Sequence, residues 1–194
     1  LYLGTCVDTE PDGQPEAMAG LMTEGDDGNV GDGAQGTCNP NGDDENGIVF
    51  ETPMIPGSTA CIRVTANNNT NANAVLQGWI DFNGNGAFES GEQLTTGGFA
   101  PTGVVVPVGG LNNVRFCFDV PVNASFLGGQ AMVRFRLSPN GGLQPGTVPT
   151  DTPPLGEVED YKVTLAKVGN YVWKDTNNNG QQDEPNTNGI NGVT

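Results

Sequence analysis

The chain contains no histidine. That absence removes imidazole general bases, Ser-His-Asp triads and histidine-ligated zinc or iron centres in one step. Positive charge is almost as scarce: seven Lys and Arg stand against 23 Asp and Glu, giving a formal charge of −16 and a pI near 4.1. A phosphate backbone needs a basic footprint, so nucleic acid is excluded as a partner. Apolar runs such as Val104-Val105-Val106 are far too short to cross a bilayer, and no direct membrane insertion is expected. Core-forming residues are thin too, with Leu, Ile, Val and Phe making about 22% of the chain, near the boundary for disorder. A fold this acidic and this lean requires stabilisation beyond its core.

What the chain has in quantity is turn chemistry: 30 Gly, 14 Pro and 22 Asn among 194 residues. These residues favour turns over helix interiors. The first 47 residues are acidic and without periodicity, apart from slight helix potential around residues 16–22 that Gly20 limits. Strand-like runs follow at residues 48–50, 60–65, 74–82, 93–95, 103–108, 114–120, 131–137 and 158–165. In one of them Val133, Phe135 and Leu137 face one way while Arg134 and Arg136 face the other. The spacing predicts an all-β antiparallel sandwich with long acidic loops over residues 1–166. Residues 167–194 begin a second pattern, Val168-Gly169-Asn170-Tyr171-Val172-Trp173 and an acidic loop, that stops before a module closes. About thirty residues cannot build a core alone. The ends, Leu1-Tyr2-Leu3 and Gly192-Val193-Thr194, do not read as gene termini, so a processed chain or a piece of a longer one is expected.

Four cysteines allow three pairings, and none forms a CxxC pair of the kind that zinc or thioredoxin-like chemistry uses. Cys61 shares a strand face with Arg63 and Thr65, and Cys117 shares one with Arg115 and Asp119. Both lie on the polar face of amphipathic strands, suited to a bridge between neighbouring strands. That leaves Cys6 and Cys38 to staple the N-terminal loops. Free thiols are the competing reading, but unpaired cysteine is usually buried rather than on a polar face. Disulfides imply an oxidising, extracellular setting.

Asp81-Phe82-Asn83-Gly84-Asn85-Gly86-Ala87-Phe88-Glu89-Ser90-Gly91-Glu92 fits the twelve-residue calcium loop. Asp81, Asn83 and Asn85 take positions 1, 3 and 5, Gly86 the turn at 6, and the Ala87 carbonyl position 7. Glu89 stands at 9 and Glu92 at 12, the bidentate position. Calcium demands this because six to eight hard oxygens must converge on one point. The bland alternative is a polar Asn-Gly hairpin. The spacing recurs at Asp175, Asn177, Asn179, Gln181 and Asp183, but position 12 there is Asn186. An echo at Asp8, Glu10 and Asp12 fails at position 12, where Ala19 stands. Further carboxylates that cations would bridge are Asp26 and Asp27, Asp43 and Asp44, and Glu157, Glu159 and Asp160. Their ordinary reading is a solvated acidic surface. A glycosidase-like acid pair is the enzymatic competitor, but nothing pairs one buried acid with one exposed base, so no catalytic residue is assigned.

Leu155-Gly156-Glu157-Val158-Glu159-Asp160-Tyr161 resembles the signature of the GEVED domain, a β-sandwich module of large secreted bacterial surface proteins. Tyr2-Leu3-Gly4, Asp43-Asp44-Glu45-Asn46-Gly47-Ile48, Gly78-Trp79-Ile80-Asp81 and Val133-Arg134-Phe135-Arg136 agree in order, so the resemblance spans residues 1–166. The remainder, from Val168 to Thr194, is similar to the start of a B repeat of Sdr-type adhesins, which implies Asp175, Asn177, Asn179 and Asp183 as calcium ligands. Together these imply a non-enzymatic, extracellular or cell-surface module, structural or adhesive, stabilised by calcium and disulfides. Its partners are expected to be neighbouring domains, or identical subunits in a filament that receive a donated strand, Tyr171-Val172-Trp173 or Ile190–Thr194. A carbohydrate-binding module is the alternative, with Trp79, Trp173 or Tyr171 as stacking platforms. Asn68-Asn69-Thr70 and Asn123-Ala124-Ser125 are glycosylation sequons.

Overall fold

The computed structural model describes residues 1–5, 46–125, 129–145, 156–164, 174 and 176–177. Eight strands run through them: β1 Tyr2–Leu3, β2 Ile48–Phe50, β3 Thr59–Asn67, β4 Ala74–Ile80, β5 Val104–Val106, β6 Leu111–Asp119, β7 Gln130–Ser138 and β8 Glu157–Thr164. All pairings are antiparallel. The first sheet is built on β3, with β6 along one edge and β1 and β2 end to end along the other. The second sheet has the order β5-β4-β7-β8. Among the described residues there is no α-helix, and short 3-10 turns at Ser90–Glu92 and Gly97–Phe99 interrupt the strands. No helix among them is long and apolar enough to cross a membrane.

Period-2 alternation puts one side of each strand into a single shared core. Ile62, Val64 and Phe118 of the first sheet meet Leu76, Ile80, Val133, Phe135 and Leu137 of the second, all at or below 1% exposure. Phe99, from the 3-10 turn in the connection between β4 and β5, packs edge-on against Phe116 and Phe118 of β6 with ring centroids 6.2 and 6.3 Å apart. On the other flank Phe50 meets Tyr161 edge-on at 5.7 Å. These contacts let few apolar residues close the sandwich.

The sequence expectation of eight strands agrees with the structure at seven of its runs. Residues 93–95 form no strand of their own; Gln93 makes an isolated bridge to Trp79. β1 lies in the region expected to be all loop, yet Leu3 is fully buried. β6 starts at Leu111 because the Asn112-Asn113 pair, which reads as a turn, forms a bulge: the register passes from Val64↔Val114 to Ala66↔Leu111. Asn113 takes the left-handed conformation there, with φ 55°, which Asn tolerates better than most residues.

Cys61 and Cys117 sit directly opposite one another and form a disulfide, as their strand phase suggests. The next pair along the same face is Arg63 opposite Arg115. Like charges so placed repel, and Glu51 resolves the conflict by receiving both guanidinium groups. Arg115, and then Arg63, hold the Glu51 carboxyl below its usual value of 4.5.

Two outcomes follow for this face. Removing the disulfide in Cys61→Ala/Cys117→Ala is expected to lower stability by about 2–4 kcal/mol in urea unfolding. For Glu51→Gln, the folded-state value is depressed, so the stabilisation by Glu51 is present above about pH 4.5 and disappears as pH falls through the lowered value. The gap between wild type and variant should therefore be open at neutral pH and close in acid, and also narrow in high salt. A gap unchanged by acid would mean that Glu51 does not act through its charge.

Candidate functional site

Two clusters of polar side chains stand out, one at the end of β4 and one on β8. β4 ends at Ile80, and Asp81 still pairs its N–H with the Met132 carbonyl at 2.9 Å before the chain turns into the loop 81–92. Asp81 is buried at 2% exposure, and its carboxylate closes the loop on itself. Oδ1 accepts from the N–H groups of Gly84 at 2.7 Å and Asn85 at 3.1 Å, and Oδ2 from Gly86 at 2.9 Å. Gly84 and Gly86 adopt φ of 69° and 80°, which the tight winding requires. Glu92, 5% exposed, comes back beneath the loop and accepts from the N–H groups of Asn83 at 3.2 Å and Glu89 at 3.0 Å. Glu89 in turn accepts from the Asn83 and Asn85 amides at 3.1 and 3.2 Å.

The expected ligand positions 81, 83, 85, 89 and 92 are thus gathered in one loop, with two buried carboxylates at the base and Asn83, Asn85, Ala87 and Glu89 exposed at the mouth. Burial pushes the Glu92 carboxyl above its ordinary value, and the neighbouring charges of Asp81 and Glu89 add to the rise. Among the described residues no group of three or more Asp, Glu, His or Cys is assembled as a metal cluster. The further oxygens that the loop carries beside its acids are those of the Asn83 and Asn85 amides and the Ala87 carbonyl. That is hard-donor chemistry of the kind calcium takes.

On β8 the residues alternate. Asp160 points away from the core and pairs with Arg134, which lies opposite it on β7, through bonds of 2.8 and 2.7 Å. Both side chains are 4% exposed. Burial pushes the Asp160 carboxyl up, and the Arg134 guanidinium pulls against that rise. The same guanidinium donates to the Pro145 carbonyl at 2.8 Å and lies 5.4 Å from the ring of Phe88 in the 81–92 loop.

Glu157, Glu159 and Tyr161 point inward and reach the edge of the other sheet. Glu157 accepts from the Leu3 N–H. Glu159, 1% exposed, accepts from the Asn46 and Gly47 N–H groups at 3.2 and 2.9 Å. The Tyr161 hydroxyl donates to Glu159 at 2.9 Å and accepts from the Ile48 N–H at 3.1 Å. Gly47 has no room for a side chain: a Cβ there would stand 2.6 Å from the Gly4 nitrogen and 2.9 Å from the Glu159 carboxylate.

Three carboxylates expected as metal candidates, Glu157, Glu159 and Asp160, therefore have protein partners. Sequence reasoning did not identify those partners; the alternating Glu-x-Glu-x-Tyr on an inward face is the signal that was there to find. Trp79, offered as a stacking platform, is 1% exposed and serves packing. Asn68 is also buried, its amide bound to the Ala72 and Val106 carbonyls at 2.9 and 3.0 Å, so its sequon is closed in the folded protein, whereas Asn123 is exposed. Cys6, Cys38, Asp8, Glu10, Asp12, Asp26, Asp27, Asp43, Asp44, Asp175, Asn179, Gln181, Asp183, Tyr171 and Trp173 lie outside the described residues, as does the 16–22 stretch. Asn177 is described and exposed.

Residues 75–164 match the GEVED domain family. The match takes in nearly all of the second sheet and is narrower than the 1–166 span implied by the motif series; the segments held by Glu157, Glu159 and Tyr161 lie before it. No curated protein matches the chain.

Glu159→Ala strips two backbone donors of their acceptor and is expected to cost on the order of 3 kcal/mol in urea unfolding. Asp160→Ala leaves the Arg134 charge buried without its partner, with an expected loss of about 3–5 kcal/mol. If either change cost less than about 0.5 kcal/mol, as surface substitutions do, the hydrogen bonds described would not be holding the sheets.

Proposed function

We propose that this chain is a non-enzymatic extracellular module whose fold is stabilised by calcium at the loop 81–92, and that it serves as a structural or adhesive part of a larger surface protein. The observation that carries this reading is the base of that loop. Asp81 and Glu92 are buried beside one another and near Glu89, and the carboxyl group of Glu92 is raised by burial and by those like charges. A bound divalent cation would offset this repulsion, with Asp81, Asn83, Asn85, Glu89, Glu92 and the Ala87 carbonyl as its ligands. The match to the GEVED family supports an extracellular setting, as does the Cys61–Cys117 disulfide.

The reading extends to residues 167–194 as the opening of a B-repeat-like module, where Asp175, Asn177, Asn179, Gln181 and Asp183 repeat the ligand spacing. Strand donation between identical chains is its other extension. The edge formed by β1 and β2 is a poor acceptor, since Glu157, Glu159 and Tyr161 already occupy its N–H groups. β8, paired only with β7 among the described strands, is the edge that a donated strand would use.

Calcium at a hundred- to thousandfold excess over its Kd should add about 3–4 kcal/mol of stability per site, visible as a higher Tm in calcium than in chelator. Asp81→Ala and Glu92→Gln should abolish the part of that rise due to this loop. Light scattering on the same samples reads assembly, which strand donation predicts to grow with concentration. The same Tm in calcium and in chelator would leave these carboxylates to the hydrogen bonds of the loop alone and end the reading.

A further inference from the structure

The outer face of the second sheet is covered rather than open. A strap of residues 141–145 crosses it, held by side chains that reach its backbone. Gln77, 2% exposed, donates to the Leu143 carbonyl at 3.4 Å and accepts the Leu143 N–H at 3.0 Å. Arg136 donates to the Gln144 carbonyl at 2.7 Å and Arg134 to that of Pro145 at 2.8 Å. Between this strap and the β5 flank of the sheet lies a cleft of about 340 Å3. Val75 and Gln77 of β4 line it together with Gln93, Thr102, Asn140 and the Gly141-Gly142 backbone.

The chemistry of this cleft differs from that of the rest of the molecule. The chain carries 23 acidic and 7 basic residues, yet no residue lining the cleft is charged. Gln93 and Asn140 each bring a carboxamide, which has a donor and an acceptor side by side, and Thr102 brings a hydroxyl, while the carboxamide of Gln77 is engaged by Leu143. Gly141 and Gly142, with φ of 63° and 70°, turn their peptide units without side chains to cover them. The Gln77–Leu143 pair fixes the strap, so the walls are set before any ligand arrives.

From these features we infer that the cleft is a binding site for a neutral polyhydroxylated ligand, a short uncharged glycan. Side-by-side donors and acceptors match vicinal hydroxyls, and Val75 and Leu143 offer surface for ring C–H groups. An anion would be opposed by the net charge of the chain, and a cation would be drawn to the acidic loops instead. An extended peptide is a poorer fit, because the cleft lies on the face of a sheet rather than along an edge where backbone could pair. The volume is at the small end of ligand sites, about 300–1,000 Å3, and suits one or two sugar rings. This inference does not rest on calcium binding.

The test is saturation-transfer NMR and titration calorimetry with maltose, cellobiose, xylobiose and mannobiose, and with a glucuronate-containing disaccharide as the charged control. At least one neutral disaccharide should bind and shift the Gly141 and Gly142 amide resonances of the wild-type protein. Gln93→Ala and Asn140→Ala should each weaken binding roughly fivefold, the loss of one hydrogen bond. Silence from all four neutral sugars, preference for the charged control, or shifts that avoid Gly141 and Gly142 would overturn the site. The wild-type shift map decides the matter even if a variant fails to fold.

Discussion

Three inward side chains of one strand hold this protein's two sheets in register. Glu157, Glu159 and Tyr161 alternate along β8, and each reaches across the flank of the sandwich to a main-chain N–H of β1, β2 or the residues just before β2. An exposed sheet edge is a row of unmet donors, and proteins must cover or blunt it. Here side chains stand where a further strand would otherwise pair. The arrangement fastens Leu3, in a strand only two residues long, to a sheet that its own pairing could scarcely hold. It also explains why charged residues tolerate burial at this position: hydrogen bonds from amides and a hydroxyl replace the lost water.

A second constraint is the shortage of cations. The four arginines are all placed where one positive charge settles several obligations at once. Arg63 and Arg115 share Glu51, which also relieves their mutual repulsion. Arg134 neutralises Asp160, anchors the strap at Pro145 and stacks under Phe88. Through that last contact the loop 81–92 and the strand bearing the Glu-x-Glu pattern touch the same buried guanidinium. Asp81 and Glu92, in the loop at the end of β4, are buried instead on hydrogen bonds from backbone N–H groups.

Much of this fold was legible in the sequence. The alternation of Val133, Phe135 and Leu137 against Arg134 and Arg136 gave the face of β7 correctly, and strand phase gave the Cys61–Cys117 pair. The acidic, Asn-Gly-rich run 81–92 was legible as a loop that follows a strand. What was not legible depends on contacts distant in sequence. Nothing local says that the arginine face of β7 is covered, because the strap over it, Gly141-Gly142-Leu143-Gln144-Pro145, reads as an ordinary turn. Nothing in the first five residues marks Leu3 as core, since a two-residue strand has no period. Glu157 and Glu159 were read as metal candidates because their donors, the N–H groups of residues 3, 46 and 47, lie more than a hundred residues earlier.

The covalent link between β3 and β6 has a consequence for load. A module strung between neighbours is pulled through its ends, and tension travels along whatever path is shortest in covalent bonds. Cys61 and Cys117 are 56 residues apart in sequence but joined through their sulfurs, so stretching passes from one to the other and bypasses everything between. β4, the acidic loop that follows it, and β5 all hang in that bypassed segment. Tension can peel β1, β2 and β8 from the sandwich and still leave residues 62–116 slack. Oxidation therefore sets a limit on how far the chain can lengthen, and reduction of one bond lifts it.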